Sequence, residues 1–331
     1  MDPLLKIDQI RACHERLASR VRATPAYGWM GPAKDELIGA DVEIATKFEL
    51  LQHTGSFKVR GALNAVLGLS QDALDRGIVT VSSGNHAAAT AFAARAVGAR
   101  AKVVMARTAS PVRIGLARHY GAEVVLTEDV VEAFATMEAI VAQEGMTLVH
   151  PFDGPSVAQG TGSLALEFHD QSGPFDAMVI PIGGGGLCGG MASAIKQLQP
   201  DCEVVGVEPE GADAMRRSFA ANEPVKLDRI ETIADSLAPP FALPYSFDLC
   251  RTNVDDIVLV SDDAIRRAMD WILRGVKLMV EPAAAAAVAA LAGPLRGRFD
   301  GRRVGVVICG GNIDLATFVR HVSVSSTQPF A

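Results

Sequence analysis

The sequence predicts an α/β protein built as two open twisted α/β lobes with mainly parallel sheets, and three observations carry the prediction. Val/Ile-rich runs of strand length recur along most of the chain, and each is followed by a segment of helical pattern. The 31 glycines concentrate after those runs, where ligand-binding turns form in open sheets. With 331 residues, 49% of them hydrophobic, the chain is long enough to bury a large core and divide into two lobes. In order, "GIVTVSS" leads into "NHAAATAFAARAVGA", "KVVMA" into "PVRIGLARHYGA", and "EVVLTE" closes that group. Later "DAMVIPI" runs through a glycine stretch into "MASAIKQLQ", "CEVVGVEP" follows, and "RRVGVVICGGN" precedes "DLATFVRHV". Continuous apolar strands with intervening helices are the pattern of parallel strands covered on both faces.

Composition narrows the function. A net charge of −7 with no basic stripe argues against a nucleic-acid partner. The longest apolar stretch, "PAAAAAVAALAG", is too short to span a membrane, and its alanine run 283–290 reads as a packed helix. The N-terminal "MDPLLKIDQIRACHERL" carries charges throughout and lacks an apolar signal core, so secretion is not expected. Cys13, Cys188, Cys202, Cys250 and Cys309 are scattered, as suits reduced thiols in a cytoplasmic protein. No repeat, low-complexity linker or charge block marks a lobe boundary.

Two stretches carry chemistry. "VIPIGGGGLCGGMASAIKQL" reads as strand, glycine turn and helix, a place where backbone N–H groups and a helix N-terminus hold an anion, phosphate above all. Gly184, Gly186 and Gly189 also satisfy G-x-G-x-x-G, with Glu208 at the tip of the next strand, so a dinucleotide reading exists beside it. "TGSFKVRGA" places Lys58 after Phe57 in a glycine-flanked stretch almost free of acids. A nicotinamide enzyme has no need of such a lysine. A phosphorylated aldehyde cofactor needs both the amine and the phosphate cup, and together they point to pyridoxal 5'-phosphate held by Lys58 as a Schiff base.

The order of "KFELLQHTGSFKVRGALNAV", "VSSGNHAAA", "HPFDGPSVAQGTGSLALE", "PIGGGGLCGG", "GVEPEGAD", "VEPAAAAAVAA" and "VICGGNID" resembles the serine/threonine dehydratase family. That family is a branch of the tryptophan-synthase-β-like, fold-type II pyridoxal phosphate enzymes, and it includes serine racemase. The resemblance covers roughly residues 5 to 320. It implies Lys58 as the Schiff-base lysine, Phe57 against the cofactor ring and Asn85 on its phenolic oxygen. It places Gly183, Gly184, Gly185, Gly186 and Leu187 in the phosphate cup and Cys309 opposite the pyridine nitrogen. Ser82, Ser83, Asn85 and His86 match the loop that holds the substrate carboxylate, and Ser83 matches the opposite-face base of serine racemase. A thiol at position 309 holds no full positive charge on the ring nitrogen, which favours elimination over transamination.

The resemblance further implies a large cofactor-binding lobe of residues 1–70 and 151–331, a small lobe of 75–148 that closes over the substrate, and a homodimer. The expected reaction removes water from a β-hydroxy amino acid, L-threonine or L-serine by default, giving a 2-oxo acid and ammonia. A larger or modified β-hydroxy amino acid (aryl-substituted, for example) and amino-acid racemisation are the alternatives. Four departures bear on this. Ala214 stands where metal-binding relatives place an aspartate that joins Glu208, with Asp213 one residue away, so no metal site is expected. "EDVVEAFATMEAI" offers no arginine for a second substrate carboxylate, which weighs against 3-hydroxyaspartate. "ADSLAPPFALPYSF" lacks the family's usual glycine after "AD", which alters the side-chain pocket. The chain ends soon after "CGGNIDLATFVRHV", so isoleucine feedback through a C-terminal domain is not expected.

Overall fold

Two sheets, one of six strands and one of four, organise residues 4–325, which the computed structural model describes. Residues 1–3 and 326–331, counted above with the large lobe, lie outside the described residues. The strands are β1 (Ala26–Trp29), β2 (Glu43–Lys47), β3 (Ile78–Val81), β4 (Ala101–Ala106) and β5 (Glu123–Thr127), then β6 (Thr147–Leu148), β7 (Ala177–Pro181), β8 (Glu203–Pro209), β9 (Asp256–Val260) and β10 (Arg303–Val307). The large sheet runs β1-β2-β10-β7-β8-β9 and the small one β5-β4-β3-β6. Every pairing is parallel except β1 with β2, where Ala26 faces Lys47 and Trp29 faces Ile44.

Side-chain alternation explains why the small sheet is apolar on both faces. Ile78 and Val103 point into one cluster, which also takes Cys13, Leu17, Val59 and Leu63. Their neighbours Val79 and Val104 point the other way, against Met137 and Ile140 of the helix Val130–Glu144. In the large sheet the alanine run becomes the helix Pro282–Ala292, with every residue from Pro282 to Leu291 buried. It packs across β7, β8, β9 and β10, and its methyl side chains allow that close seat. Among the described residues no helix is long and apolar enough to cross a membrane.

Parallel strands deliver their C-terminal turns to one edge. The turn after β3 carries Ser82 to His86, the turn after β7 carries Gly183 to Gly186, and β10 runs directly into Cys309. Below that edge lies a buried charged cluster. Lys47 Nζ donates to Glu167 Oε1 at 2.5 Å and to the Thr24 carbonyl at 2.6 Å. Arg60 donates to both oxygens of Glu49, at 2.9 and 2.8 Å, and lies 3.0 Å from Glu167 Oε2. Burial alone would raise the Glu49 carboxyl, but the Arg60 guanidinium outweighs it and holds the group below the usual carboxylate range. Arg60 sits in the first turn of the helix Lys58–Leu67, so the cluster anchors the helix that begins with Lys58.

Candidate active site

Lys58 is fixed by its neighbours on both sides. The Phe57 backbone N–H donates to the Cys309 carbonyl at 3.1 Å, and Ser56 forms a bridge with Gly310. Lys58 Nζ donates to the Pro151 carbonyl at 2.6 Å and lies 5.2 Å from the centroid of the Phe57 ring. The side chain is half-buried, opening onto a cleft. Burial lowers its pKa to about 8, against the smaller opposing pull of Cys309 and Glu281. A larger share of the amine is therefore neutral near physiological pH than in an ordinary lysine, although the ammonium still predominates there.

The glycine turn approaches the chain at Phe152 more closely than any side chain would permit. A Cβ on Gly184 would fall 2.2 Å from the Phe152 ring, and one on Gly186 2.2 Å from its carbonyl oxygen. Gly185 has φ +89° and precedes the helix Gly186–Leu198 without supplying any side-chain acceptor. The first N–H groups of that helix are thus left for an anion. His150 holds the Phe152 turn: its Nδ1 accepts from the Phe152 and Asp153 N–H groups at 3.2 and 2.9 Å. Burial lowers His150 to about 4, so it stays neutral.

Asn85 and His86 begin the helix Asn85–Ala96 and are almost wholly buried. Asn85 Nδ2 donates to Glu281 Oε1 at 2.7 Å, and Asn85 Oδ1 accepts from Asn312 Nδ2 at 2.8 Å. His86 Nε2 lies 2.9 Å from the Val149 carbonyl, which can only accept, so that nitrogen carries the proton. Burial pushes His86 down to about 3, and Lys58 adds to the shift. Ser82 Oγ accepts from the Gly84 N–H at 3.2 Å.

These segments enclose two contiguous spaces that share Lys58, Asn85, Phe152, Gly184 and Ser236. The inner one, about 40 Å³, is lined by Phe57, the four glycines from Gly183 to Gly186, Leu187, Glu281 and Cys309. The outer one, about 270 Å³, reaches Ser82, Ser83 and His86. The twelve residues assigned from the sequence to cofactor and substrate therefore each line one of the two spaces. Burial pushes the Cys309 thiol well above its ordinary value, leaving it a weak neutral donor. A buried amine beside an uncapped helix start suits a phosphorylated aldehyde, so the donor set fits pyridoxal phosphate.

Glu208 is engaged elsewhere. Its two oxygens accept from the Met215 and Arg216 N–H groups, both at 2.8 Å, capping the helix Ala214–Ala221. Asp213 pairs with Arg217 at 2.8 Å. The described residues contain no group of three His, Cys, Asp or Glu placed to hold a metal. Sequence reasoning passed over Glu281, Phe152 and the bidentate pair of Arg113 with Asp235 at the cavity mouth. One signal was present: Glu281 is a lone acid directly before an uncharged, eleven-residue apolar helix.

Comparison with known proteins agrees with this geometry. The family described as "Pyridoxal-phosphate dependent enzyme" matches residues 22–310. Phenylserine dehydratase of Ralstonia pickettii is 48% identical over 96% of both chains. L-threo-3-hydroxyaspartate ammonia-lyase of Pseudomonas sp is 38% identical, covering 94% of this chain and 96% of its own. The structure of maize serine racemase superposes with a TM-score of 0.89 at 32% identity, covering 97% of each chain. With that family match over residues 22–310 and relatives alike along nearly its whole length, the chain belongs to the pyridoxal-phosphate-dependent enzyme family.

Proposed function

We propose that the chain is an ammonia-lyase that removes water from β-hydroxy amino acids carrying an apolar, aryl-sized β-substituent, releasing a 2-oxo acid and ammonia. The observation that supports it is the wall of the outer cavity. Val130, Ala133 and Phe134 form one side of it, and Pro239, Pro240 and Phe241 another. The one arginine in that lining, Arg113, has both terminal nitrogens on the carboxylate of Asp235 and offers no free cation to a second substrate carboxylate. Phenylserine, the substrate named in the Ralstonia relative, is of this class.

Lys58 acts at two points, holding the cofactor and, once released, taking the α-proton on Nζ. Pyridoxal phosphate, when bound, supplies the electron sink that makes that proton removable. The N–H groups at the start of Gly186–Leu198 would hold its phosphate, with Gly183 to Gly186 and Leu187 lining the space. Phe57 would pack against its ring, and Cys309 would offer the ring nitrogen a neutral thiol. The turn of Ser82, Ser83, Asn85 and His86 holds the substrate carboxylate, and the small lobe, 75–148, carries that turn over the bound substrate. His86 stays neutral and would not meet the carboxylate as a cation. Ser83 also lines the cavity, which keeps racemisation as a second reading, separable by following chirality beside ammonia release. Five free, buried cysteines support placement in the cytoplasm, and a homodimer is the assembly proposed.

Release of ammonia and 2-oxo acid from both serine enantiomers, threonine, 3-hydroxyaspartate and phenylserine tests the reading. Burying a phenyl group instead of a methyl should favour phenylserine over threonine by at least ~10-fold in kcat/KM. Preference for threonine, serine or hydroxyaspartate would refute the aryl assignment. A further expectation follows from the lowered pKa of Lys58. Uptake of pyridoxal phosphate by the apoenzyme should speed up as pH rises toward about 8, because the neutral amine grows at the expense of the ammonium, and should level off above it. The rate of growth of the bound-cofactor absorbance measures this, and a flat profile between pH 6 and 8 contradicts it.

A further inference from the structure

Four polar groups from four separate chain segments form a directed series beside the cofactor cavity. It starts at a fixed acceptor, the Thr54 backbone carbonyl, to which Asn312 Nδ2 donates at 2.7 Å. A carbonyl cannot donate, so the Asn312 amide must turn its nitrogen that way. The second N–H of the same nitrogen donates to Asn85 Oδ1 at 2.8 Å. Asn85 must then present its oxygen to Asn312 and its nitrogen to the opposite side, where Nδ2 donates to Glu281 Oε1 at 2.7 Å. That use leaves one N–H of Asn85, which lines both cavities beside Lys58.

We infer that Glu281 and Asn312 bracket Asn85 and lock its amide in one orientation, so that an N–H and not a carbonyl faces the cofactor. Both are positioning residues, and the inference rests on the reading of Asn85 as a cofactor contact. The reversed amide would set oxygen against oxygen at Glu281 and NH₂ against NH₂ at Asn312, losing both hydrogen bonds in a buried site. Glu281 is 1% exposed, at the head of an alanine helix, with Oε2 lacking any hydrogen-bond partner among the described residues. Burial raises its pKa to about 7, yet Oε1 accepts from Asn85 whether or not Oε2 carries a proton. Such a costly residue is accounted for by what it holds. A Cβ on Gly310 would come within 2.6 Å of Glu281 Oε1, so the turn after β10 is shaped around this carboxyl.

The test titrates apoenzyme with pyridoxal phosphate, reading its dissociation constant and the absorbance maximum of the bound cofactor, with thermal unfolding as the check on folding. Glu281→Ala and Asn312→Asp should each weaken binding by ~10-fold or more and shift the absorbance in the same direction as Asn85→Ala. Glu281→Gln keeps a carbonyl acceptor and should stay within ~3-fold of wild type. Wild-type affinity and absorbance in Glu281→Ala and Asn312→Asp, beside an impaired Asn85→Ala, overturn the bracket alone. An unimpaired Asn85→Ala overturns the reading of the site as well. A Glu281→Gln variant as damaged as Glu281→Ala also overturns the bracket, since charge and not amide direction would then be at work. Should Glu281→Ala fail to fold, Asn312→Asp and Glu281→Gln decide.

Discussion

Lys58→Ala should lose at least ~10⁴-fold in turnover if, as proposed, one amine serves both as the cofactor's covalent holder and as the base at the α-carbon. No other lysine can stand in. Lys47, the nearest in sequence, is held by Glu167, the Thr24 carbonyl and Gln171 in the buried cluster. The fold should survive the change. Alanine suits the first helical position, and the one hydrogen bond lost is to the Pro151 carbonyl. Ammonia release should be measured beside thermal unfolding. Turnover within ~10-fold of wild type, in a folded variant, would remove Lys58 from the chemistry.

Glu49→Ala should have the largest effect on stability, about 3–5 kcal/mol. Glu49 and Arg60 are both fully buried, and Arg60 Nη1 already lacks a hydrogen-bond partner among the described residues. Removing Glu49 takes away two of the guanidinium's hydrogen bonds and the acceptor of the Thr24 hydroxyl, at 2.6 Å. Glu167 is left to serve both Arg60 and Lys47. Urea unfolding monitored by circular dichroism reads the loss. A change below ~1 kcal/mol would mean the cluster relaxes around the gap or that water enters to replace the carboxylate. Arg60 lies two residues beyond Lys58, so cofactor affinity should fall together with stability.

What the sequence displayed was local. The turns at Ser82 to His86, Gly183 to Gly186 and Cys309 each follow a Val/Ile-rich strand and carry their chemistry within a few residues, so the pattern of strand, turn and helix exposed them. The strand β6 has only two residues, too few for any period to show, and β1 holds a glycine among four residues. Glu281 was hidden for another reason. Its partner Asn85 is 196 positions away, and its role exists only once both sheets have formed. The same holds for Arg113 with Asp235, 122 positions apart, and for the Lys47, Glu49, Arg60 and Glu167 cluster. Local grammar places the turns; long-range electrostatic pairing appears only in three dimensions.

The alanine helix has a consequence for how this site could diversify. Ala283 to Ala290 lie against the sheet with no more than 2% exposure, so an added methylene there has nowhere to go. That helix is accordingly closed to drift, and with it the seat of Ala283 on the inner space. The rim is different: Val130 is 55% and Phe134 36% exposed, on the first turns of a surface helix. Residues there can be exchanged at little cost in stability. A lineage could thus reshape the outer wall of the cavity through this helix alone, with the packed alanine helix unchanged.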